Sequence, residues 1–317
     1  MKKINKNSYN AMGIRKFIYA GLAFITIGLA ACTQNEDMAP TLKGQEINAT
    51  FSVGGMQTRV NTLGYGDSWE DKDELKVRIF TDYDPGSTVV LSFNSATNEW
   101  SRSDSFRWLD EVDKHTILAV YPSSDDYDPF HLVYVLPTNQ SSPKDLKSAD
   151  LINGFRYDRP DLDNYIEIKM QHRMSLVTIM YHVGTADYPN LDINSLQICS
   201  PCSGASFPNF PYDNNEWKMD TSNYKEAKLV DACKTEDGEE KFFSAIIVPG
   251  TIGTDTEFLK FSIGEKNFVS KLKSQTDFEE GKHYTYKLDV GKDKVELTRI
   301  SVDDLKGWDS NNEEELK

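Results

Sequence analysis

The stretch YIEIKMQHRMSLVTIMYHV, residues 165–183, decides the fold class. Its first part alternates apolar and polar residues, and its second part, from Ser175, is mostly apolar with β-branched residues. Both patterns are typical of β-strands. Elsewhere no apolar stripe of helical period persists over about twelve residues, and only residues 143–152 could hold one short helix. The sequence therefore predicts an all-β protein.

Similar apolar segments lie on both sides of this stretch, separated by runs rich in Gly, Pro, Asn and Asp. Short strands between such turns are typical of β-sandwiches. The chain is longer than the roughly 100 residues of one sandwich, so we predict two in tandem, residues 47–164 and residues 165–317, the second with an acidic tail. The predicted strands are 47–53, 75–79, 89–93, 116–121 and 131–136 in the first domain, and 165–170, 175–183, 196–198, 242–248, 258–263, 268–272, 284–290 and 295–302 in the second.

Two features of this pattern lead to more specific expectations. Residues 138–164 are polar and rich in turn residues, which predicts a long connection between the domains. In the last strand the apolar alternation changes phase between Leu297 and Ile300. Because strand side chains alternate with a period of two, this slip predicts a β-bulge or two separate strands.

Residues 1–31 predict a signal peptide. All charged residues before position 36 are basic, and they precede an apolar run from Phe17 to Leu29. At about 1.5 Å per residue this run would span roughly 20 Å as a helix, which is short of a bilayer core. A basic start, a short apolar middle and a small-residue end are typical of a secretory signal. The alternative is an uncleaved anchor helix.

The segment that follows, Leu29-Ala30-Ala31-Cys32, resembles the lipobox of bacterial lipoproteins. That resemblance implies cleavage before Cys32 and acylation of this cysteine, and several acyl chains together give stable attachment to a membrane. Thr33 stands where some lipoproteins of the inner membrane have an aspartate, which favours the outer membrane. Residues 32–46 are polar and predict a flexible tether between the lipid and the fold.

The net charge of the mature chain excludes partners that require a basic face on the protein. Once residues 1–31 are removed, 30 Lys and Arg remain against 50 Asp and Glu, for a net charge of −20. Nucleic acids and anionic lipid surfaces require a basic face on the protein. We therefore expect neither as a ligand, and the only lipid contact that we expect is the anchor on Cys32 in the outer membrane.

The remaining residues give little sign of catalysis or of a cofactor. Cys199 and Cys202 have the spacing of a redox motif, but they follow a predicted strand where thiol–disulfide enzymes have a helix N-terminus. Cys233 adds a third thiol without a histidine close to it in sequence, as a zinc site would need. The histidines belong to no protease, hydrolase or phosphate-loop motif, and a packed histidine is the expected role of His172. We predict a protein that is not an enzyme and binds neither a metal nor a cofactor.

A set of short segments follows a fixed order along the chain: 49–53, Thr58-Arg59, Ser68-Trp69, 73–77, 119–122, 136–140, 148–151, 172–177, 246–249, 278–290 and Trp308. Together these segments resemble the fimbrillin family, which comprises type V pilus subunits and related surface lipoproteins. One departure is Lys72, where the family often has glycine in a turn. The resemblance implies two transthyretin-like sandwich domains and a place at the cell surface as a shaft, tip or anchor subunit of a fimbria.

The resemblance also implies a mechanism of assembly with other fimbrial subunits by strand exchange. In polymerising members a surface Arg-specific protease cuts after an arginine that follows the first strand. That strand leaves, and a strand of the next subunit takes its place. In this chain the bond would be Arg59-Val60. The apolar face of the departing strand would consist of Ile47, Ala49, Phe51 and Val53. The donor would be the C-terminal strand, residues 295–302.

Two other functions stay open on the sequence. One is a surface lipoprotein that binds a glycan or a host protein without polymerising, on an exposed aromatic platform. The aromatic residues that could form this platform are Trp100, Trp108, Tyr121, Tyr127 and Tyr134, although aromatic side chains at such spacings more often belong to a core. The other is a surface hydrolase.

Overall fold

A computed structural model describes residues 41–53, 69–101, 106–125, 127–128, 132–160, 165–182, 192–208, 217–237, 240–291 and 295–304. Within these ranges nearly all regular structure is β-strand, which confirms the predicted all-β class. The elements up to residue 172 are β1 Asn48–Val53, β2 Glu74–Phe80, β3 Ser87–Asn94, β4 Glu99–Trp100, β5 His115–Tyr121, β6 Val133–Val135, α1 Pro143–Ser148, β7 Ile152–Asp158 and β8 Tyr165–His172.

The remaining elements are all strands. They are β9 Ser175–His182, β10 Ile193–Ser200, β11 Gly204–Ser206, β12 Lys228–Asp231, β13 Cys233–Asp237, β14 Glu240–Ile247, β15 Gly250–Ile252, β16 Glu257–Ile263, β17 Lys266–Lys271, β18 Thr276–Phe278, β19 Lys282–Val290 and β20 Val295–Asp304. The one helix of the described ranges is too short to cross a membrane.

The first half of the fold is a seven-stranded sheet in the order β1-β8-β7-β5-β2-β3-β4. One face of this sheet carries a core to which β2, β3, β5 and β8 all contribute buried apolar side chains. The ring centroids of Phe51, from the edge strand β1, and Trp100, from the opposite edge strand β4, are 5.4 Å apart. The sheet is therefore rolled so that its two edges approach each other across this core.

The second half is a two-layer sandwich. A five-stranded sheet, β13-β14-β9-β19-β20, packs on a four-stranded sheet, β12-β10-β16-β17. Phe258 of one layer and Tyr286 of the other meet with ring centroids 5.4 Å apart. Alternating side chains of both layers fill the space between them, as sandwich packing requires.

The passage from the first sheet to the second falls later than the domain boundary predicted at residue 165. β8 pairs with β1 on one edge and with β7 on the other, so Tyr165–His172 belongs to the first sheet. The second half begins only with β9, after Arg173 and Met174. The described residues, from Thr41 onward, form one compact unit, and the division into two domains stays a prediction.

β7 was missed by the sequence analysis, which placed these residues in a polar connection. Its sequence, INGFRYD, contains Asn153, Gly154 and Asp158, which are residue types typical of turns. Gly154 is required here because a Cβ atom would lie 2.3 Å from the backbone oxygen of Lys169 on β8. A glycine inside a strand often marks such a close approach of two backbones.

The connection before β7 holds the short helix that the sequence predicts. Ser142 caps α1, its hydroxyl accepting a hydrogen bond from the backbone N–H of Asp145. Upstream of α1, the fully buried side chain of Gln140 bonds both backbone groups of Ile246 on β14: Nε2 donates to the oxygen at 2.9 Å and Oε1 accepts from the N–H at 2.7 Å. Gln140 thus ties the connection to the second half.

Two sequence features have clear structural causes. Ile300 is the extra residue of a bulge in β20, because Ser301 pairs with Thr285 while Arg299 pairs with the next residue, Tyr286. The predicted phase slip is therefore a bulge within one continuous strand. Lys72, at the position where the family often has glycine, has a φ of 70°. This left-handed conformation is uncommon for residues other than glycine, which accounts for the glycine of the relatives.

The pH dependence of stability should carry a contribution from His283 on β19. Burial lowers its pKa to about 4, from about 6.5 in an unfolded chain. The folded state therefore binds fewer protons than the unfolded state between these values. The stabilisation is complete above about pH 6.5 and is lost as the pH falls toward about 4, with a limit of about 3 kcal/mol.

His283→Gln should remove this loss, because glutamine does not titrate in this range. Its amide can still donate to Thr178 Oγ1, which lies 2.9 Å from His283 Nε2. Urea unfolding at several pH values measures the effect. We expect the free energy of unfolding of the wild type to fall relative to that of the variant by about 2–3 kcal/mol between pH 7 and pH 4. Parallel pH profiles of the two proteins would contradict the expectation.

Candidate functional site

The candidate site is β1 together with the groove that holds it. β1 is an edge strand of the first sheet and pairs in parallel with β8, from Asn48 opposite Tyr165 to Val53 opposite Met170. On its other side, the backbone pairing among the described residues involves only those just before the strand, where the N–H of Ile47 donates to the oxygen of Phe106 at 3.0 Å. Within the described part of the chain, β1 thus pairs along its full length with one neighbour.

The two faces of β1 have different surroundings. Ile47, Phe51 and Val53 are buried, with exposed fractions of 5%, 3% and 1%, and Ala49 packs beside them. These are the four residues that the sequence places on the apolar face. On the opposite face Ser52 Oγ donates to Glu167 Oε1 at 3.1 Å. The alternation follows from the two-residue period of a strand.

Aromatic side chains close the groove over Phe51. The indole N–H of Trp69 donates to the backbone oxygen of Phe51 at 3.0 Å. The Trp100 ring meets those of Phe51 and Trp69 edge to face, at centroid distances of 5.4 and 5.1 Å. Such pairs contribute beyond the apolar area that they bury. The sequence identified Trp69 only as part of a family motif, and the tertiary contact of Trp100 with β1 left no local signal.

A gap remains beside β1. A cavity of about 200 Å³ lies between its first residues and the rim of the sheet, with Leu91, Trp100 and Phe106 among its walls. Protein interiors are normally close-packed. The groove is therefore filled less completely around the first half of β1 than around Phe51.

Tyr121 supports the aromatic cluster from β5. Its ring packs against Trp69 at a centroid distance of 5.5 Å, and its hydroxyl donates to Asp73 Oδ1 at 3.3 Å. Burial, and to a smaller extent the carboxylate of Asp73, raises the pKa of Tyr121 far above its usual range. The phenol therefore stays protonated and acts only as a structural donor.

Cys32, Arg59 and Val60 lie outside the described residues. The described part of β1 ends at Val53, and the chain resumes at Trp69, whose indole bonds back to β1. Lipidation at Cys32 and cleavage after Arg59 stay predictions.

The three cysteines and His172, which the sequence singled out, are packed within the fold. Cys199, Cys202 and Cys233 are free and buried, and burial raises the pKa of each thiol, which disfavours the reactive thiolate. His172 packs with its Nδ1 2.9 Å from the buried carboxylate of Asp150. In the part of the chain that the structure describes, no three potential ligands come together as a metal site.

The aromatic platform is not available on the surface. Trp108, Tyr121, Tyr127 and Tyr134 are all less than 8% exposed, and Trp100 packs against the core of the first sheet. These side chains belong to the hydrophobic cores, so the glycan-binding alternative loses the surface on which it was based.

Comparison with known proteins identifies the family to which this chain belongs. The profile of the family described as Fimbrillin-like matches residues 58–304. The chain belongs to the fimbrillin-like family. No protein of curated function matches it in sequence.

Solved structures share the fimbrillin-like fold at low sequence identity. A candidate cell adhesion protein from Bacteroides ovatus is 12% identical, with a TM-score of 0.56, and the alignment covers 82% of this chain and 97% of the other. A candidate cell adhesion protein from Bacteroides uniformis is 14% identical, with a TM-score of 0.54 over the same shares of the two chains. At these identities the likeness establishes the fold.

Proposed function

We propose that this fimbrillin-like chain is a structural subunit of a cell-surface fimbria. It is exported as a lipoprotein with its lipid on Cys32 in the outer membrane, and it polymerises after cleavage of the Arg59-Val60 bond. The observation that carries the proposal is the position of β1, an edge strand held by one neighbour and joined directly to the segment that contains Arg59. Cutting after Arg59 would free this strand from the rest of the chain.

The loss of β1 would leave a groove that favours a replacement. Each large apolar side chain withdrawn from the core forfeits about 1.5–3 kcal/mol of burial, and the backbone groups of β8 would lose their hydrogen-bond partners on that edge. A strand of another subunit can restore both, which is the principle of strand addition. The new strand would cover side chains that β1 now covers or that lie in the same core. They include Trp69, Trp100 and Ile168.

The donor that we propose is β20, the last described strand. It lies at the edge of the five-stranded sheet and, among the described strands, pairs only with β19. Ile300 and Val302 in its second half are 52% and 44% exposed, although they are apolar. A strand with unpaired backbone groups and exposed apolar side chains is suited to pairing with another chain.

The N-terminus of the protein on its native cell surface tests the proposal. We expect mass spectrometry to find Val60 as the first residue, without lipid. Arg59→Lys should preserve the charge but block an Arg-specific protease, so the variant should keep a lipidated Cys32 and form no polymer. Arg159→Lys, at an exposed arginine beyond β7, is the matched control and should be processed like the wild type.

A wild-type protein that still begins at lipidated Cys32 would rule out polymerisation by this route. The chain would then be an anchor subunit or a surface lipoprotein that binds its ligand without polymerising. Normal processing of Arg59→Lys would place the cut elsewhere, and the release of β1 by this bond would be wrong.

A further inference from the structure

The cavity of about 200 Å³ beside β1 has a cause in the sequence of that strand. Ala49 lies on the apolar face between Ile47 and Phe51, and it is one of the residues that line the cavity. Both neighbours on this face are buried, whereas Ala49 is only half-buried. Its methyl group is the smallest side chain of the face, so a larger side chain at the same position would have space to enter. We name this space the Ala49 cavity.

The buried walls of the Ala49 cavity are apolar. Leu91 and Phe106 are 2% and 3% exposed, and the ring of Trp100 packs against the same core. Among the described residues, the charged ones that line the cavity are Glu46 and Glu99, and neither of them is buried. An aliphatic side chain in this space would gain the close contacts that protein interiors normally have. The cavity therefore favours an aliphatic side chain over a polar one.

Pairing on both sides fixes the position of Ala49 in the groove. The N–H of Ile47 donates to the oxygen of Phe106 at 3.0 Å, and Ala49 pairs with Ile166 of β8. A shift of β1 by one residue would turn its apolar face away from the core. The cavity is therefore filled by a different side chain at this position and not by a small movement of β1.

The proposed donor strand, β20, has larger apolar side chains at the spacing that the groove requires. They are Val295, Leu297, Ile300 and Val302. The partners of Leu297 and Val302 lie four residues apart on β19, so the bulge between them keeps both side chains on one face of the sheet. Once the bulge residue is left out, this spacing equals that between Ala49 and Val53 on β1.

Laid parallel to β8, as β1 is now, β20 places Leu297 at the position of Ala49. Its isobutyl group then extends into the space that the methyl group of Ala49 leaves open. The valines on either side of Leu297 take the positions of Ile47 and Val53, so the apolar face continues in both directions. The donor therefore matches three positions of the apolar face and fills one of them better than β1 does.

Leu297 requires a buried destination if β20 is to leave its own sheet. It is 6% exposed and packs in the core of the second half. Moving this side chain into water would lose the free energy of its burial. The Ala49 cavity of another molecule provides an apolar environment in exchange, which an exposed site would not.

We propose that the Ala49 cavity is the pocket for Leu297 of a second copy of this chain. The unfilled space makes β1 less stable in the groove than a strand that fills it, and the donor strand gains at the same position. This inference rests on the proposed function, to which it adds the register of the donor strand and a reason why the exchange is favourable.

Filling the cavity within the uncleaved full chain is the first test. Ala49→Leu should raise the Tm by about 3–6 °C, because the added carbon atoms become buried. Thr88→Leu, at an exposed position of β3 outside the cavity, is the matched control and should change the Tm by less than about 2 °C. An unchanged or lower Tm for Ala49→Leu would show that the space does not accept an aliphatic side chain, and the proposal would be wrong.

Strand exchange tests the occupant. The full-length protein is cut after Arg59, and native mass spectrometry follows the replacement of its N-terminal fragment by a peptide of residues 295–304. Leu297→Ala in the peptide should lower the equilibrium constant of replacement by about tenfold or more. Ala49→Leu in the protein should lower it to a similar extent, since the resident fragment then fills the cavity. Thr298→Ala, on the opposite face of β20, is the control peptide and should replace the fragment like the wild type.

The exchange experiment separates the failure of this inference from the failure of the proposed function. Equal replacement by the wild-type peptide and by the Leu297→Ala peptide would overturn the inference and leave strand exchange by β20 intact. A cut protein that takes up none of the peptides would overturn both the inference and the proposed donor.

Discussion

Replacing Phe51 by alanine is expected to lower the free energy of unfolding of the uncleaved chain by about 3–5 kcal/mol. Phe51 is 3% exposed and meets the ring of Trp100 edge to face. Truncation removes the apolar contacts of the ring and leaves a cavity beneath Trp69, whose indole is fixed by its bond to the Phe51 carbonyl oxygen. Since Trp69 cannot move without breaking that bond, the cavity should collapse only partly. The midpoint and slope of urea unfolding measure the effect.

Thr50→Ala is the control on the same strand. Thr50 lies on the opposite face, where its hydroxyl is 2.9 Å from that of Tyr165 in an exposed position. Its removal should cost less than about 1 kcal/mol. If the two variants are equally stable, the apolar face of β1 does not hold the strand in its groove.

Phe51→Ala also distinguishes the two states of the proposed assembly. In the uncleaved chain Phe51 fills the groove, whereas in the polymer a strand of another subunit fills it and β1 has left. Phe51→Ala should therefore destabilise the uncleaved chain and leave the polymer that forms after cleavage unchanged. A polymer that is destabilised as much as its precursor would mean that β1 stays in place.

Local sequence patterns were sufficient for the β class and for the apolar face of β1. Alternation over residues 47–53 depends only on the two-residue period of a strand, which holds wherever one face of the strand is buried. The bulge at Ile300 was likewise visible as a change of phase. In each case the information lies within a few consecutive residues.

The parts that the sequence could not predict depend on contacts between distant segments. β7 contains Asn153 and Gly154, and only the nearby backbone of β8 explains why a glycine belongs there. The place of β8 in the first sheet could not be predicted either, because strand spacing does not reveal which sheet a strand joins. The cavity of about 720 Å³ between β7, β8 and Trp217 is lined by residues from both halves, so no single stretch of sequence predicts it.

Arg173, which lies between β8 and β9, makes several such long-range contacts. Its backbone N–H donates to the oxygen of Leu151. Its side chain donates to Asn153 and pairs with Glu280 of the second half, and its guanidinium lies 5.8 Å from the centre of the Phe207 ring. A planar group with several fixed donors can serve all these partners at once, which a lysine cannot. Arg173 therefore connects the first sheet to the second half through one buried charge.

Arg173→Ala is expected to cost about 3–5 kcal/mol in the free energy of unfolding, because it leaves a partly buried carboxylate and a fully buried amide without their partner. Arg173→Lys should recover only part of this loss. Lys273→Ala is the control: its ion pair with Glu296 is solvent-exposed on both sides, so its loss should cost less than about 1 kcal/mol. In urea unfolding, Glu280→Gln should be much less damaging in the Arg173→Ala background than in the wild type, since the carboxylate is already unpaired there. Additive effects of the two substitutions would show that Arg173 and Glu280 act independently.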